Sequence, residues 1–260
     1  MCLLLLGYDV HPEAMWIIAA NRDEFYHRAT APLHGWEDTP DIVAGRDLKD
    51  GGTWMGISRR GRFAALTNYR DPASLQPNAP SRGMLVRDFL LFDGHPASYL
   101  EALLPVMHRF NGFNLVVGDA SGLFYLGNRC GSMQSIPSGW HALSNHCIDT
   151  PWPKTERALM RLREIVRPDR SIDVQAIFEM LTDAEPAPDN RLPDTGVGLE
   201  WERILSPIFI QSPTYGTRSS SVVLLNRKRQ VFFWERTHHP LHQEKEGHPE
   251  AIVMVGPIQW

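Results

Sequence analysis

Cys2, directly behind the initiator methionine, has the most chemistry to offer of any residue in the chain. Methionine aminopeptidases remove Met1 when the following side chain is small, and cysteine qualifies. Processing would leave a thiol and a free α-amine on one residue. A thiol has a pKa near ~8.5 and an α-amine near ~7.7–8.0, so at neutral pH the amine can take the thiol proton, directly or through a water. Nucleophile and base would then be the same residue. Cys2 also fits a plainer role, as the small apolar first residue of a buried strand running through Leu3-Leu4-Leu5-Leu6-Gly7-Tyr8.

A second apolar run, Met15-Trp16-Ile17-Ile18-Ala19-Ala20, follows the turn-like segment 9–13, so the two runs read as a β-hairpin. It ends in Asn21-Arg22-Asp23-Glu24, two carboxylates, a guanidinium and an amide in a row. The end of the second strand of an antiparallel hairpin lies beside the start of the first, which puts these four residues near Cys2. A carboxylate there can orient the amine. An arginine can lower the thiol pKa or grip an anionic substrate. Without Cys2, the same four residues would equally well make a solvated polar turn with an internal ion pair.

Several further motifs run in order along the chain: Gly51-Gly52-Thr53-Trp54-Met55-Gly56, Ala64-Ala65-Leu66-Thr67-Asn68-Tyr69, Asn111-Gly112-Phe113-Asn114-Leu115, Leu143-Ser144-Asn145 and Tyr215-Gly216-Thr217-Arg218. With Met1-Cys2 and Ala19-Ala20-Asn21-Arg22-Asp23-Glu24-Phe25, they resemble the NRDE family, the transport and Golgi organisation protein 2 family. That family is similar in layout to the N-terminal nucleophile hydrolases, in particular the choloylglycine hydrolases and penicillin V acylases. The resemblance implies Cys2 as nucleophile, Asp23 as the carboxylate near the N-terminal amine, and Asn68 and Asn145 as oxyanion donors. Asn21, Glu24, Arg22 and Arg218 fall to substrate binding. One position departs from the hydrolase pattern: the arginine there precedes the Asp by three, where this chain has Ala20, and its arginine is Arg22, so Arg218 is the alternative for that role. Family members have also been connected with haem trafficking and with lipid or acyl-coenzyme A metabolism.

Two functions of different classes follow. One is hydrolysis of a linear amide or acyl thioester, with a small-molecule substrate and no required cofactor. The other is carriage of haem or an acyl lipid, a hydrophobic ligand, in the same pocket without turnover. In the first, strand-end asparagines suit a developing oxyanion, and Asn68 and Asn145 each end a predicted strand. Cys2, Asp23, Asn68 and Asn145 should then share one pocket. The histidines His238, His239, His242 and His248 crowd a Pro- and Gly-containing connection with no helical ligand spacing, so a solvated loop is expected there and no metal site. For haem, those residues and His11, His27, His34, His108, His141 and His146 are the available axial ligands.

The elements that must position these residues read as hairpins interrupted by helix pairs. Strands are expected at 53–58 and 63–69, a hairpin at 112–127, a strand at 140–145, and strands at 218–225, 230–236 and 251–255. Helical spacing covers 83–93 and 98–110, with Ser98 and Glu101 as a capping box, and 154–166 and 172–181, with Ser171 as N-cap. The acidic, Pro- and Gly-rich segment 183–198 reads as a surface connection or a lid. Antiparallel hairpins with helix pairs suit an α+β class, and the resemblance implies a four-layer αββα sandwich formed by residues 1–260 as one domain. A net charge of −4 offers no basic field for nucleic acid. No stretch reaches the ~20 apolar residues of a membrane span. Three cysteines form neither an even disulfide set nor a metal pair, which points to a reducing cytoplasm with Cys2 as the most reactive of three free thiols.

Overall fold

The computed structural model describes residues 2–131, 133–238 and 250–255. In chain order the strands are β1 (Cys2–Tyr8), β2 (Ala14–Phe25), β3 (Thr30–Gly35), β4 (Ile42–Asp47), β5 (Met55–Ser58), β6 (Phe63–Asn68), β7 (Phe113–Asp119), β8 (Gly122–Gly127), β9 (Gln134–Ile136), β10 (Gly139–Leu143), β11 (Tyr215–Asn226), β12 (Val231–Thr237) and β13 (Glu250–Val255). The helices are α1 (Gly83–Leu91), α2 (Pro96–Leu103), α3 (Pro153–Ile165), α4 (Val174–Leu181) and α5 (Leu199–Leu205). The strands form a six-stranded sheet in the order β10-β1-β2-β11-β12-β13 and a seven-stranded meander from β3 to β9. Every pairing is antiparallel.

The layers follow from the two-residue period of the strands. Leu4, Leu6, Ile18 and Ala20 point between the sheets and pack on Val43, Ile57, Ala65 and Val116. Their neighbours Leu3, Leu5, Ile17 and Ala19 point the other way, against Ala158 and Leu162 of α3 and Ile177, Phe178 and Leu181 of α4. The meander repeats this with Ile42, Ala44, Ala64 and Leu115 against Val86, Phe89 and Leu90 of α1 and Leu100 of α2. The result is the αββα sandwich of helices, sheet, sheet and helices. A strand buried on both faces reads as an unbroken apolar run, and Leu3 to Leu6 are all fully buried. Each such leucine contributes roughly 1.5–3 kcal/mol relative to an exposed one.

Several elements differ from the sequence expectation. Strand β2 does not stop at Ala20 but runs on to Phe25, because β1 and β11 pair with it on both sides along its polar end. Strands β3, β4 and β9 and helix α5 carry no periodic signal of their own. Helix α2 begins at Pro96, where His95 Nδ1 accepts the Ala97 N–H at 3.2 Å, and so precedes the Ser98 capping box. Helix α4 is capped by Asp173, not Ser171, through the Ala176 N–H at 3.0 Å. The largest correction concerns the cysteines: Cys130 and Cys147 are disulfide-bonded, which leaves Cys2 as the free thiol. The odd count had hidden a pair that β8 and the loop after β10 bring together, and the inference of a reducing compartment loses its basis. No helix among the described residues is long and apolar enough to cross a membrane.

Candidate active site

Register sets the site. Cys2 lies directly across from Arg22 in the β1–β2 pair, and Ser219 faces Arg22 from the other side. Between Thr217 and Ser219 the β2–β11 register slips, so Arg218 is the extra residue of a bulge. Bulges re-aim side chains in this way. By the strand period Cys2, Arg22 and Glu24 share the inter-sheet face with Leu4 and Ala20. Asn21 and Asp23 share the opposite, helix-covered face with Ala19.

At this end of the sandwich the sheets part around a cavity of about 340 Å³, lined among others by Cys2, Arg22, Asp23, Glu24, Asn68 and Arg218. Such a volume falls in the range of small-molecule sites. Its wall is polar: Arg22, Arg28, Arg46, Arg82 and Arg218 alternate with Asp23, Glu24, Asp47, Asp50 and Glu235, while Trp54, Leu66 and several prolines supply apolar surface. Among the described residues no histidine lines it.

Two expected site residues lie elsewhere. Asn145 is fully buried behind the wall, where its Nδ2 donates to the Asn68 carbonyl at 2.9 Å and its Oδ1 accepts from Ser144 Oγ at 3.2 Å. Ser144 Oγ is equally 3.2 Å from the Cys2 carbonyl, the other acceptor open to its single hydrogen, so the end of β10 lies against the strands carrying both Cys2 and Asn68. Asn21 points to the helices, donating to the Leu181 and Ile208 carbonyls at 2.9 and 2.8 Å and accepting from Ser220 Oγ at 2.6 Å. Asn21 is not among the residues lining the cavity, although Asp23, on the same face and one turn of the period nearer the strand end, is.

Electrostatics around the thiol are mixed. Burial pushes the Cys2 thiol up, Asp23 adds to the rise, and Arg22 and a hydrogen bond from the Asp23 main chain only partly offset it. Burial likewise raises the Asp23 carboxyl, while Lys154 and a 2.8 Å hydrogen bond from Thr217 Oγ1 favour its ionised form. Register places Asp23 one step beyond the Cys2 partner, on the side from which the α-amine of a processed Cys2 would be met.

Sequence reasoning missed Arg82 in the cavity wall and four further contributors. Lys154, in the first turn of α3, is buried beneath Asp23 with Nζ donating to the Leu205 carbonyl at 3.1 Å, and burial lowers it to about 8. Nothing local marks it, since an amphipathic helix normally exposes such a lysine. Arg70 and Glu202 form a fully enclosed pair at 2.5 Å, with Arg70 Nη2 also 3.4 Å from Asn145 Oδ1. Glu235 accepts the Leu33 N–H at 2.7 Å and joins the two sheets at the cavity wall. Here a signal existed: Val231 and Phe233 face the core, and the same period carries Glu235 inward. Of the histidine cluster, His239, His242 and His248 lie outside the described residues, and His238 Nε2 is 2.9 Å from Ser220 Oγ. Among the described residues no group of three or more His, Cys, Asp or Glu could hold a metal ion.

Two facing antiparallel sheets between helix pairs, with Cys2 opening the first strand at a cavity, define a fold of the N-terminal nucleophile hydrolase type. Solved structures agree on the fold. A mutant of conjugated bile acid hydrolase from Clostridium perfringens covers 97% of this chain and 96% of that one with a TM-score of 0.51 at 11% identity. An N-acylethanolamine-hydrolyzing acid amidase ortholog from Caenorhabditis elegans covers 86% and 92% with a TM-score of 0.50 at 12% identity. The sequence profile described as Transport and Golgi organisation 2 matches residues 1–240, and the chain belongs to that family. The Transport and Golgi organization protein 2 homolog of Bos taurus is 35% identical over 258 residues, spanning 91% of this chain and 93% of that protein. The human homolog is 34% identical over the same shares, and the Drosophila melanogaster protein 27% over 91% and 92%.

Proposed function

We propose that, once Met1 is removed, Cys2 is the nucleophile and its own α-amine the base in hydrolysis of a linear amide or an acyl thioester. The amine takes the thiol proton and the sulfur attacks the acyl carbonyl. Asn68 stabilises the oxyanion, Asp23 orients the amine, and Asn145 holds the strand end that carries Asn68. Collapse of the tetrahedral intermediate expels an amine or a thiol, which leaves with the proton from the α-ammonium. Water, deprotonated by the same amine, then cleaves the S-acyl intermediate and releases the carboxylic acid. One observation carries this reading: the free thiol sits at the wall of a polar cavity, with Asp23 one register step away on the amine side. The raised thiol agrees with a need for an adjacent base. No cofactor enters the reaction.

The polar wall favours hydrolysis over carriage of haem or an acyl lipid, for which an apolar slot would be wanted. A panel of acyl amides and acyl thioesters, offered to protein whose loss of Met1 has been checked by intact mass, tests the proposal. Turnover that Cys2→Ala abolishes, with ligand affinity nearly unchanged, supports it. A processed wild-type protein that turns over nothing in the panel and binds haem with Cys2 replaced decides for the carrier.

A further inference from the structure

We propose that the cavity contains, beside the thiol, a subsite for an acidic headgroup formed by Arg82 and Arg218, so that the substrate is an acyl compound bearing a carboxylate or a phosphate. The acyl-transfer part of this statement rests on the hydrolase reading; the anion site does not.

Glu24 shares the cavity face with Cys2 and stands within electrostatic reach of four guanidinium groups, Arg22, Arg28, Arg82 and Arg218. Two of these have other carboxylates. Arg28 pairs with Asp47 and Asp50 at 2.5 and 2.6 Å, and Arg22, 4.0 Å from Glu24, also lies in the field of Glu235. Arg82 and Arg218 spend their hydrogen bonds on main-chain carbonyls instead. Arg82 Nη1 donates to Gly112 at 2.8 Å, and Arg218 Nη1 to Phe25, Tyr26 and Arg28 at 3.0, 3.3 and 3.0 Å. Carbonyls fix a guanidinium in place without cancelling its charge. Among the described residues Arg218 Nε is buried without a hydrogen bond, and burial lowers the pKa of both arginines. Among the described residues Glu24 is the one carboxylate within electrostatic reach of these two partly dehydrated cations, and they line the same cavity as the thiol. Arg82 also lies within electrostatic reach of Cys2. An oxyanion that reaches between them gains charge-assisted hydrogen bonds where water screens little.

The glycine motif after β4 accounts for the position of Arg82. The Thr53 N–H donates to the Gly83 carbonyl at 3.2 Å, and a Cβ on Gly52 would stand 2.5 Å from the Gly83 carbonyl carbon. Only glycine lets the segment 51–53 approach so closely, and that approach presses the start of α1, with Arg82 just before it, against the cavity.

The test uses Cys2 alkylation, which needs no turnover. Processed protein with its disulfide intact is treated with iodoacetate, an anion, and with iodoacetamide, its neutral counterpart. The ratio of the two rates should fall about five- to tenfold in Arg82→Met and in Arg218→Met, while Arg82→Lys keeps most of it; a change in thiolate fraction affects both reagents alike and cancels in the ratio. Inorganic phosphate at constant ionic strength should slow labelling of the wild type, which reports the phosphate arm and stands whether or not the methionine variants fold. An unchanged ratio in the folded variants, or no phosphate protection of the wild type, overturns the subsite. Protein that shows the anion preference but hydrolyses nothing would lose the hydrolase reading and keep the subsite. Protein that hydrolyses neutral and acidic acyl compounds alike, with no preference, would do the reverse.

Discussion

On the helix side of β2, charge is matched: Asp23 has Lys154 and Thr217, and Arg70 behind them has Glu202. On the cavity side of the same strand Glu24 faces Arg22, Arg28, Arg82 and Arg218, and among the described residues Arg82 and Arg218 have no second carboxylate within electrostatic reach. Residues one step apart in sequence therefore live in opposite regimes. The closed face can tolerate buried charge only because each group has a partner. The open face can leave cations short of one because a ligand can complete the set. A strand of two-residue period is what allows a single run, Asn21-Arg22-Asp23-Glu24, to serve both.

The comparison breaks first at Glu202. Glu202→Gln leaves Arg70 charged and enclosed, and denaturant unfolding should show a loss of about 3–5 kcal/mol; a loss below about 1 would mean that the closed face does not depend on matched charge. Lys154 gives the next effect, through pH. Its folded value of about 8 lies below the ordinary 10.5, so between these values the unfolded chain binds the extra proton. Stability contributed by the neutral lysine is present above pH 10.5, is lost as pH falls toward 8, and changes no further below that. Relative to Lys154→Met, wild type should gain on the order of 3 kcal/mol from pH 8 to 10.5. Parallel curves for the two proteins would contradict the buried charge. Cys130 and Cys147 are 17 residues apart, and reducing their bond should cost about 3 kcal/mol. It should also expose two further thiols to alkylation, whereas the oxidised protein labels at Cys2 alone. The smallest effect belongs to the rim, where Arg46 and Asp38 pair at 2.7 Å with much of both side chains in water. Asp38→Asn should leave the denaturation midpoint nearly unchanged, and a clear loss would extend the closed-face behaviour to the cavity mouth.

The hairpin that carries the site was legible because Leu3 to Leu6 and Trp16 to Ala20 are unbroken apolar runs on either side of a polar turn. That residues 21–24 lie beside Cys2 followed from the antiparallel geometry, whereas the register that sets Cys2 opposite Arg22 came only with the structure. That Asn21 and Asp23 face away from Arg22 and Glu24 was present in the same alternation, but the period was not carried past Ala20, where the apolar run ends. Strands β3 and β4 were not legible, since Pro32, Gly35, Asp38 and Pro40 interrupt any period. Lys154, Arg70, Glu202 and Arg82 reach the site from distant segments, and no local pattern announces a contact made only in the folded chain. The bulge at Arg218 is of the same kind: it exists in the pairing of two strands and in neither alone.

The central claim is that Cys2 carries an acyl group in the course of reaction, and intact mass tests it most directly. Processed protein, mixed with an acyl thioester and quenched in acid, should gain the mass of one acyl group on its N-terminal peptide. Neither Cys2→Ala nor a form extended ahead of Cys2 should do so. Absence of the adduct on processed wild-type protein, or an equal adduct on Cys2→Ala, would contradict the account.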